Sequence, residues 1–225
     1  MPYVFVEPSW FFIYSIILEA FFAVITLVVS YYAFKVYKLI EEDNAKLLSN
    51  AFLCIAISYI VQAVLNIIVL SKFDEDVVSL MSLRDAALLN LFGTYVHALF
   101  FVIGLVLLTY TTFKVRNIRI VTLLISIILV AVLFCPNKVF LFYVIAAILL
   151  IHTVIHYFIN YLKSKKINAL LILTAMILLF IASLQFILAV NYEIYYVLGH
   201  ILEFVAYALI LTNLVIILKN DKKKR

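Results

Sequence analysis

The chain has 225 residues, of which 68% are hydrophobic and only 13% charged. Water-soluble domains carry about twice that charged fraction, so the composition excludes a sizeable soluble domain and describes an integral membrane protein. The formal charge of +5 does not indicate nucleic-acid binding, because the basic residues stand at the ends of apolar runs, where membrane topology accounts for them.

Residues 1–8 have no basic n-region and include the acidic Glu7. The run that follows is too long for a signal h-region and closes on no A-x-A-like site, so an uncleaved N-terminus is expected. Seven apolar runs are then predicted as helices, over 10–36, 45–70, 88–112, 118–134, 139–162, 169–190 and 195–218. Each is about long enough to cross a hydrocarbon core of roughly 30 Å. The whole chain, 1–225, is thus expected to be one all-α, polytopic, seven-helix membrane domain. The fourth run is the shortest and the most uniformly aliphatic, and reads as a spacer or packing helix. Only the connection over 71–87 is long. Its run from Asp76 to Arg84 fits either a short interfacial helix or a solvated loop.

Lys35, Lys38 and Lys46 flank the first connection, Lys114, Arg116 and Arg119 the third, and Lys163, Lys165 and Lys166 the fifth. Lys219 opens a basic tail over 219–225. Of 17 basic residues only Lys72, Arg84 and Lys138 fall on the other side. The positive-inside rule therefore predicts a multi-pass cell-membrane protein with its N-terminus outside and its C-terminus in the cytoplasm. An odd number of spans is required by that split. Tyr3, Trp10, Tyr192, Tyr195 and Tyr196 are expected at the outer interface, and Tyr31, Tyr32, Tyr37, Tyr110 and Tyr161 at the inner one. Cys54 and Cys135 are predicted at different depths, so both thiols are expected free.

Residues 32–38 lead into Asn44 and the second span much as residues 157–163 lead into Asn168 and the sixth. His97, Leu99, Phe101 and Val102 match His200, Leu202, Phe204 and Val205 in spacing. The pattern suggests parallel repeats over about 10–112 and 139–218, joined by the helix at 118–134, a 3+1+3 plan.

Only two of the 12 acidic residues, Glu19 and Glu203, lie well inside spans. Intramembrane charges are costly and face a bundle interior or a watery cavity. Helical spacing puts Ser15, Glu19, Phe22 and Thr26 on one stripe of the first span. It likewise aligns Ser58, Gln62 and Asn66 on the second, Asn90, Gly93, His97 and Gly104 on the third, and Tyr196, His200, Glu203 and Tyr207 on the seventh. Gln185 joins them from the sixth. The candidate ligand pocket is therefore Glu19, Gln62, Asn66, His97, Gln185, His200, Glu203 and Tyr207, in the outer half of the bundle. The competing account is that these stripes glue helices together through hydrogen bonds.

His97 and His200 occupy equivalent places in the repeat and are candidates for a shared metal or haem b. His152 and His156, spaced i,i+4 on the fifth span, are a weaker metal pair, since no H-E-x-x-H is present. No G-x-S-x-G, P-loop or G-x-G-x-x-G occurs, so an enzyme is not the expectation. All three glycines lie inside spans, where they favour close helix packing.

The run over residues 30–38, SYYAFKVYK, together with Gly199, His200, Glu203, Ala206 and Tyr207, resembles uncharacterised prokaryotic, mainly archaeal, seven-span proteins. Those are similar in turn to membrane-embedded sensor regions of signalling proteins. The resemblance implies topology and a small-ligand or signal-sensing role, and carries over no functional residue. No fused output domain is expected after the last span, so a sensing role would imply a cytoplasmic or membrane signalling partner. Microbial rhodopsins share the seven-span plan but need a lysine in the middle of the last span. None stands there, so no retinal is expected. Sugar transporters of the SWEET type share the 3+1+3 plan but use prolines within spans, whereas Pro2, Pro8 and Pro136 lie at span ends. A small transporter built on parallel repeats is the alternative, and a haem- or metal-binding membrane protein a third.

Overall fold

The computed structural model describes residue 8 and residues 10–73, 83–113, 117–135, 137–189 and 192–222. Its regular elements are seven α-helices: α1 Phe12–Ile40, α2 Asp43–Phe73, α3 Leu83–Tyr110, α4 Ile118–Phe134, α5 Lys138–Ser164, α6 Ile167–Leu188 and α7 Ile194–Lys222. Both α2 and α3 run past their expected apolar limits, because the backbone ladder continues into polar sequence such as Ser71 and Lys72. The expected connection from Asp76 lies outside the described residues, except for Leu83 and Arg84, which open α3.

Two hairpins are set by the same local device. α1 ends at Glu41, in the left-handed region (φ 51°), with its N–H donating to the Tyr37 carbonyl. α5 ends at Lys165 (φ 49°), with its N–H donating to the Tyr161 carbonyl. Left-handed backbone costs a non-glycine residue roughly 1–2 kcal/mol, and these two are the only such residues described. Each turn is followed within two residues by the next helix, which folds α1 against α2 and α5 against α6. Asparagines start the next pair of elements: Asn117 accepts from the Arg119 N–H at the head of α4, and Asn137 from the Phe140 N–H at the head of α5. Side-chain oxygens there satisfy donors that a helix start leaves open.

The helices close into a ring in the order α1, α2, α3, α5, α6, α7 and back to α1. Exchanging α1 with α5, α2 with α6 and α3 with α7 maps this contact pattern onto itself. α4 stands outside, against α3 and α5. The seams between the halves are parallel. Phe11 meets Tyr196, while Phe22 meets Tyr207. His97 meets Phe142, while Thr109 bonds to the Leu149 carbonyl and Thr153. Because α3 and α5 run the same way, α4 must carry the chain back along them. Its 17 residues reach about 25 Å at 1.5 Å per residue.

The molecule is inverted relative to a water-soluble bundle. On α1, Ser15, Glu19 and Thr26 are buried, while Ile13, Ile17 and Val24 are exposed. An apolar exterior around a polar interior suits lipid as the solvent. Six of the helices are long and apolar enough to cross a membrane, so the chain is a multi-pass membrane protein. Cys54 and Cys135 are free thiols. Two tyrosines assigned to the interfacial belts are buried: Tyr110, whose hydroxyl accepts from the Asn117 N–H, and Tyr196. A hydroxyl that finds a protein partner has no need of the headgroup layer.

The end at which α1, α3, α5 and α7 begin is called upper below. In the lower half four buried hydroxyls pair across helix seams, while Asn213 Oδ1 and Ser164 Oγ have no hydrogen-bond partner. Ser30 and Ser49 exchange bonds with each other's carbonyls across α1 and α2, both at 2.9 Å. Thr109 and Thr153 pair at 3.3 Å across α3 and α5. Gly104 lets α3 press on α2: a β-carbon there would stand 2.8 Å from the Ala51 carbonyl oxygen.

Candidate functional site

The upper half of the ring encloses a chamber of about 290 Å³, with residues from all seven helices in its wall. The stripes expected on α1, α2, α3 and α7 supply its polar lining. On α1 and α2, Glu19 faces Asn66, whose Nδ2 donates to both carboxylate oxygens at 3.1 and 3.0 Å. Antiparallel register places these two near the top, since Ser30 and Ser49 pair further down the same helices.

His97 is fixed by a local pair on α2. The Ser58 hydroxyl donates to the His97 carbonyl at 3.0 Å, and the same oxygen lies 2.7 Å from His97 Nδ1. With its proton committed to that carbonyl, Ser58 accepts from an Nδ1–H. This tautomer leaves Nε2 as the acceptor nitrogen. The ring packs on Tyr59 and Phe142.

His200 is held differently. Its ring sits among Tyr196 at 4.6 Å, Phe186 at 5.1 Å and Phe11 at 5.7 Å between centroids. Glu203, one turn on, brings Oε2 within 3.5 Å of Nδ1. The geometry there is not that of a hydrogen bond, and neither ring nitrogen has a hydrogen-bond partner, although the residue is only 6% exposed. The contact becomes an ion pair when the imidazole is protonated. Gly199 fits this corner to α6, for a β-carbon on it would come within 2.7 Å of the Phe186 ring.

The floor is a hydroxyl bridge that was not foreseen. Tyr59 donates to Glu203 Oε1 at 3.3 Å and lies 3.2 Å from the Tyr207 hydroxyl. It spans the ring interior from α2 to α7, helices whose backbones are not neighbours. The available signal was a tyrosine in the middle of a span, where its hydroxyl must find a protein partner. Below the floor lies a void of about 20 Å³, lined chiefly by side chains such as Phe52, Leu105 and Met176.

Of the eight expected pocket residues, Glu19, Gln62, Asn66, His97, His200 and Glu203 line the chamber. Gln62 does so with its Oε1 unpartnered. Tyr207 lies beneath, as part of the floor. Gln185 is not in the wall; its neighbour Phe186 is. At a helical step of 100° adjacent residues face different ways. The Asn90 side chain lies outside the described residues. α4, read as a packing helix, does pack outside the ring and supplies only Val132 to the wall.

His97 and His200 share the chamber but touch different partners. The ring contacts between them run through Tyr59 and Phe22. His152 and His156 are exposed on α5, with His152 against Phe113. Among the described residues no group of three or more His, Cys, Asp or Glu side chains is placed to hold a metal ion. No protein-family model, curated protein or solved structure matches the chain.

Proposed function

We propose that the chain is a ligand-sensing membrane protein whose upper chamber binds a small molecule. One observation carries this reading. His200, with both ring nitrogens unpartnered, lines a chamber that also holds two carboxylates. Unsatisfied polar groups at membrane depth are expensive, and a ligand that bonds to them removes that expense. The resemblance to sensor regions points the same way. On this reading the N-terminus is external, the C-terminus cytoplasmic, and occupancy is passed to a signalling subunit through α7 and the hairpin turns.

The test is thermal unfolding of the purified chain in lipid nanodiscs against panels of small polar compounds. A true ligand at a hundred times its Kd adds about 2.7 kcal/mol of stability. The shift should vanish in His200→Phe and Glu203→Gln chains that still fold. A panel without shifts, or shifts indifferent to both substitutions, sinks the proposal. Reporters fused at the two termini test the orientation, and a cytoplasmic N-terminus would reverse it.

A small transporter is the second reading, favoured by the contact pattern that exchanges the two three-helix halves. The closed floor at Tyr59 and Tyr207 favours sensing over this alternative. Substrate uptake into proteoliposomes would decide for transport.

A further inference from the structure

Beside the chamber lies a second space that the sensing proposal leaves unused. It is a groove of about 320 Å³ between α3 and α4, and Tyr95 is its only lining residue with a side-chain heteroatom. Tyr95, Ala98 and Val132 line both the groove and the chamber, so the two spaces abut at these three side chains. The groove follows α3 from Phe92 to Ile103, a distance of about 16 Å at the helical rise.

We propose that the chamber's ligand is a single-chain amphiphile, its alkyl or isoprenoid chain lying in the α3–α4 groove and its hydrogen-bond-donating head in the chamber. The inference rests on the chamber being a ligand site and names the ligand's class. Three features support it. The chain's half of the site is almost wholly apolar and lies between α3 and α4, the helix outside the ring, so a molecule dissolved in the bilayer reaches it without crossing water. The head's half offers acceptors: the Glu203 carboxylate and the unpartnered Gln62 Oε1. Among the described residues no lysine or arginine lines the chamber, so a carboxylate or phosphate head would meet Glu203 there without a fixed positive charge to offset it. An alcohol or an amine meets an acceptor instead. The seam between α1 and α7 has no counterpart of α4. It is packed by aromatic pairs such as Phe21 with Phe204, whereas the α3–α4 side carries a groove that meets the chamber.

The experiment uses the full chain in lipid nanodiscs and 1-dodecanol carrying a diazirine near its chain end. Photolabelling should saturate and map to residues 92–103 and 125–132. Excess 1-dodecanol or dodecylamine should reduce it about fivefold by mass action, and dodecanoate should not. Whichever of the two competes better separates an alcohol head from an amine head. Leu129→Trp, or Ile128→Phe if the first chain does not fold, should fill the groove and abolish labelling. Ile17→Trp, on the exposed face of α1, should leave it unchanged. Unsaturable labelling spread over the exterior, equal competition by dodecanoate, or labelling indifferent to His200→Phe and Glu203→Gln would each overturn the proposal. If short polar compounds stabilise the chain through His200 while dodecanol does not label the groove, the chamber survives as a site and the amphiphile is ruled out. If neither binds, the sensing proposal falls with it.

Discussion

The two halves of the ring differ in the ionisable groups and the space they enclose. Below Tyr59, the hydroxyls of Ser30, Ser49, Thr109 and Thr153 bond to one another or to backbone across helix seams, and the void beneath the floor is about 20 Å³. Above Tyr59, two carboxylates and two imidazoles surround about 290 Å³, and both nitrogens of His200 have no hydrogen-bond partner. Satisfied polar pairs contribute to helix association. Unsatisfied ones occur in both halves, since Asn213 Oδ1 below has no partner either, but only the upper ones stand around a chamber that can admit a ligand to complete them. The lower half therefore reads as the scaffold and the upper half as the site. Substitutions should separate the two: lower changes move stability and spare ligand response, and upper changes do the reverse.

The largest effect is expected at Gly104. A β-carbon in Gly104→Val would meet the Ala51 carbonyl at 2.8 Å and Ile55 Cγ1 at 2.6 Å, and a backbone oxygen cannot swing aside. Overpacking of this kind costs about 1–3 kcal/mol. Thermal unfolding in nanodiscs should show a clear loss, and an unchanged melt would mean that α2 and α3 are not closely packed. A smaller effect is expected from Thr109→Val, which removes the bond to Thr153 and costs about 0.6 kcal/mol. Its ligand response should equal the parent's. The smallest stability change belongs to His200→Phe. The imidazole forms no hydrogen bond and sits among aromatic rings, so a phenyl ring should leave the melting temperature level or slightly raised. Ligand-induced stabilisation should nevertheless disappear. A His200→Phe chain that unfolds far more easily than Thr109→Val would make His200 part of the glue and erase the distinction between the halves.

Much of this contrast was readable from the chain. Apolar length alone marked the helices, and helical spacing put Ser15, Glu19, Phe22 and Thr26 on a stripe that is buried throughout. Glu19, His200 and Glu203 stood out because an ionisable group in a bilayer needs a partner. Tyr59 did not stand out, since its partners on α7 lie across the ring and only the closure of six helices brings them together. The Ser58–His97 pair depends on the α2–α3 register, which the close approach at Gly104 sets and hydropathy does not encode. Gln185 was placed in the pocket by depth, and depth does not say which way a side chain faces. The groove beside α4 was hidden for a related reason. An aliphatic helix looks the same to hydropathy whether it packs tightly or leaves a channel.

The most direct measurement is cysteine reactivity on either side of the Tyr59 floor. With Cys54 and Cys135 replaced by alanine, Gln62→Cys lies in the chamber wall and Val106→Cys in the packed lower half. An apolar, close-packed environment keeps a thiol protonated and inert. A small cationic methanethiosulfonate reagent should therefore modify Gln62→Cys at least about ten times faster than Val106→Cys. A hydrogen-bond donor that occupies the chamber should slow only the former. Equal rates at the two positions, both at the level of the packed site, would contradict the existence of an accessible polar chamber.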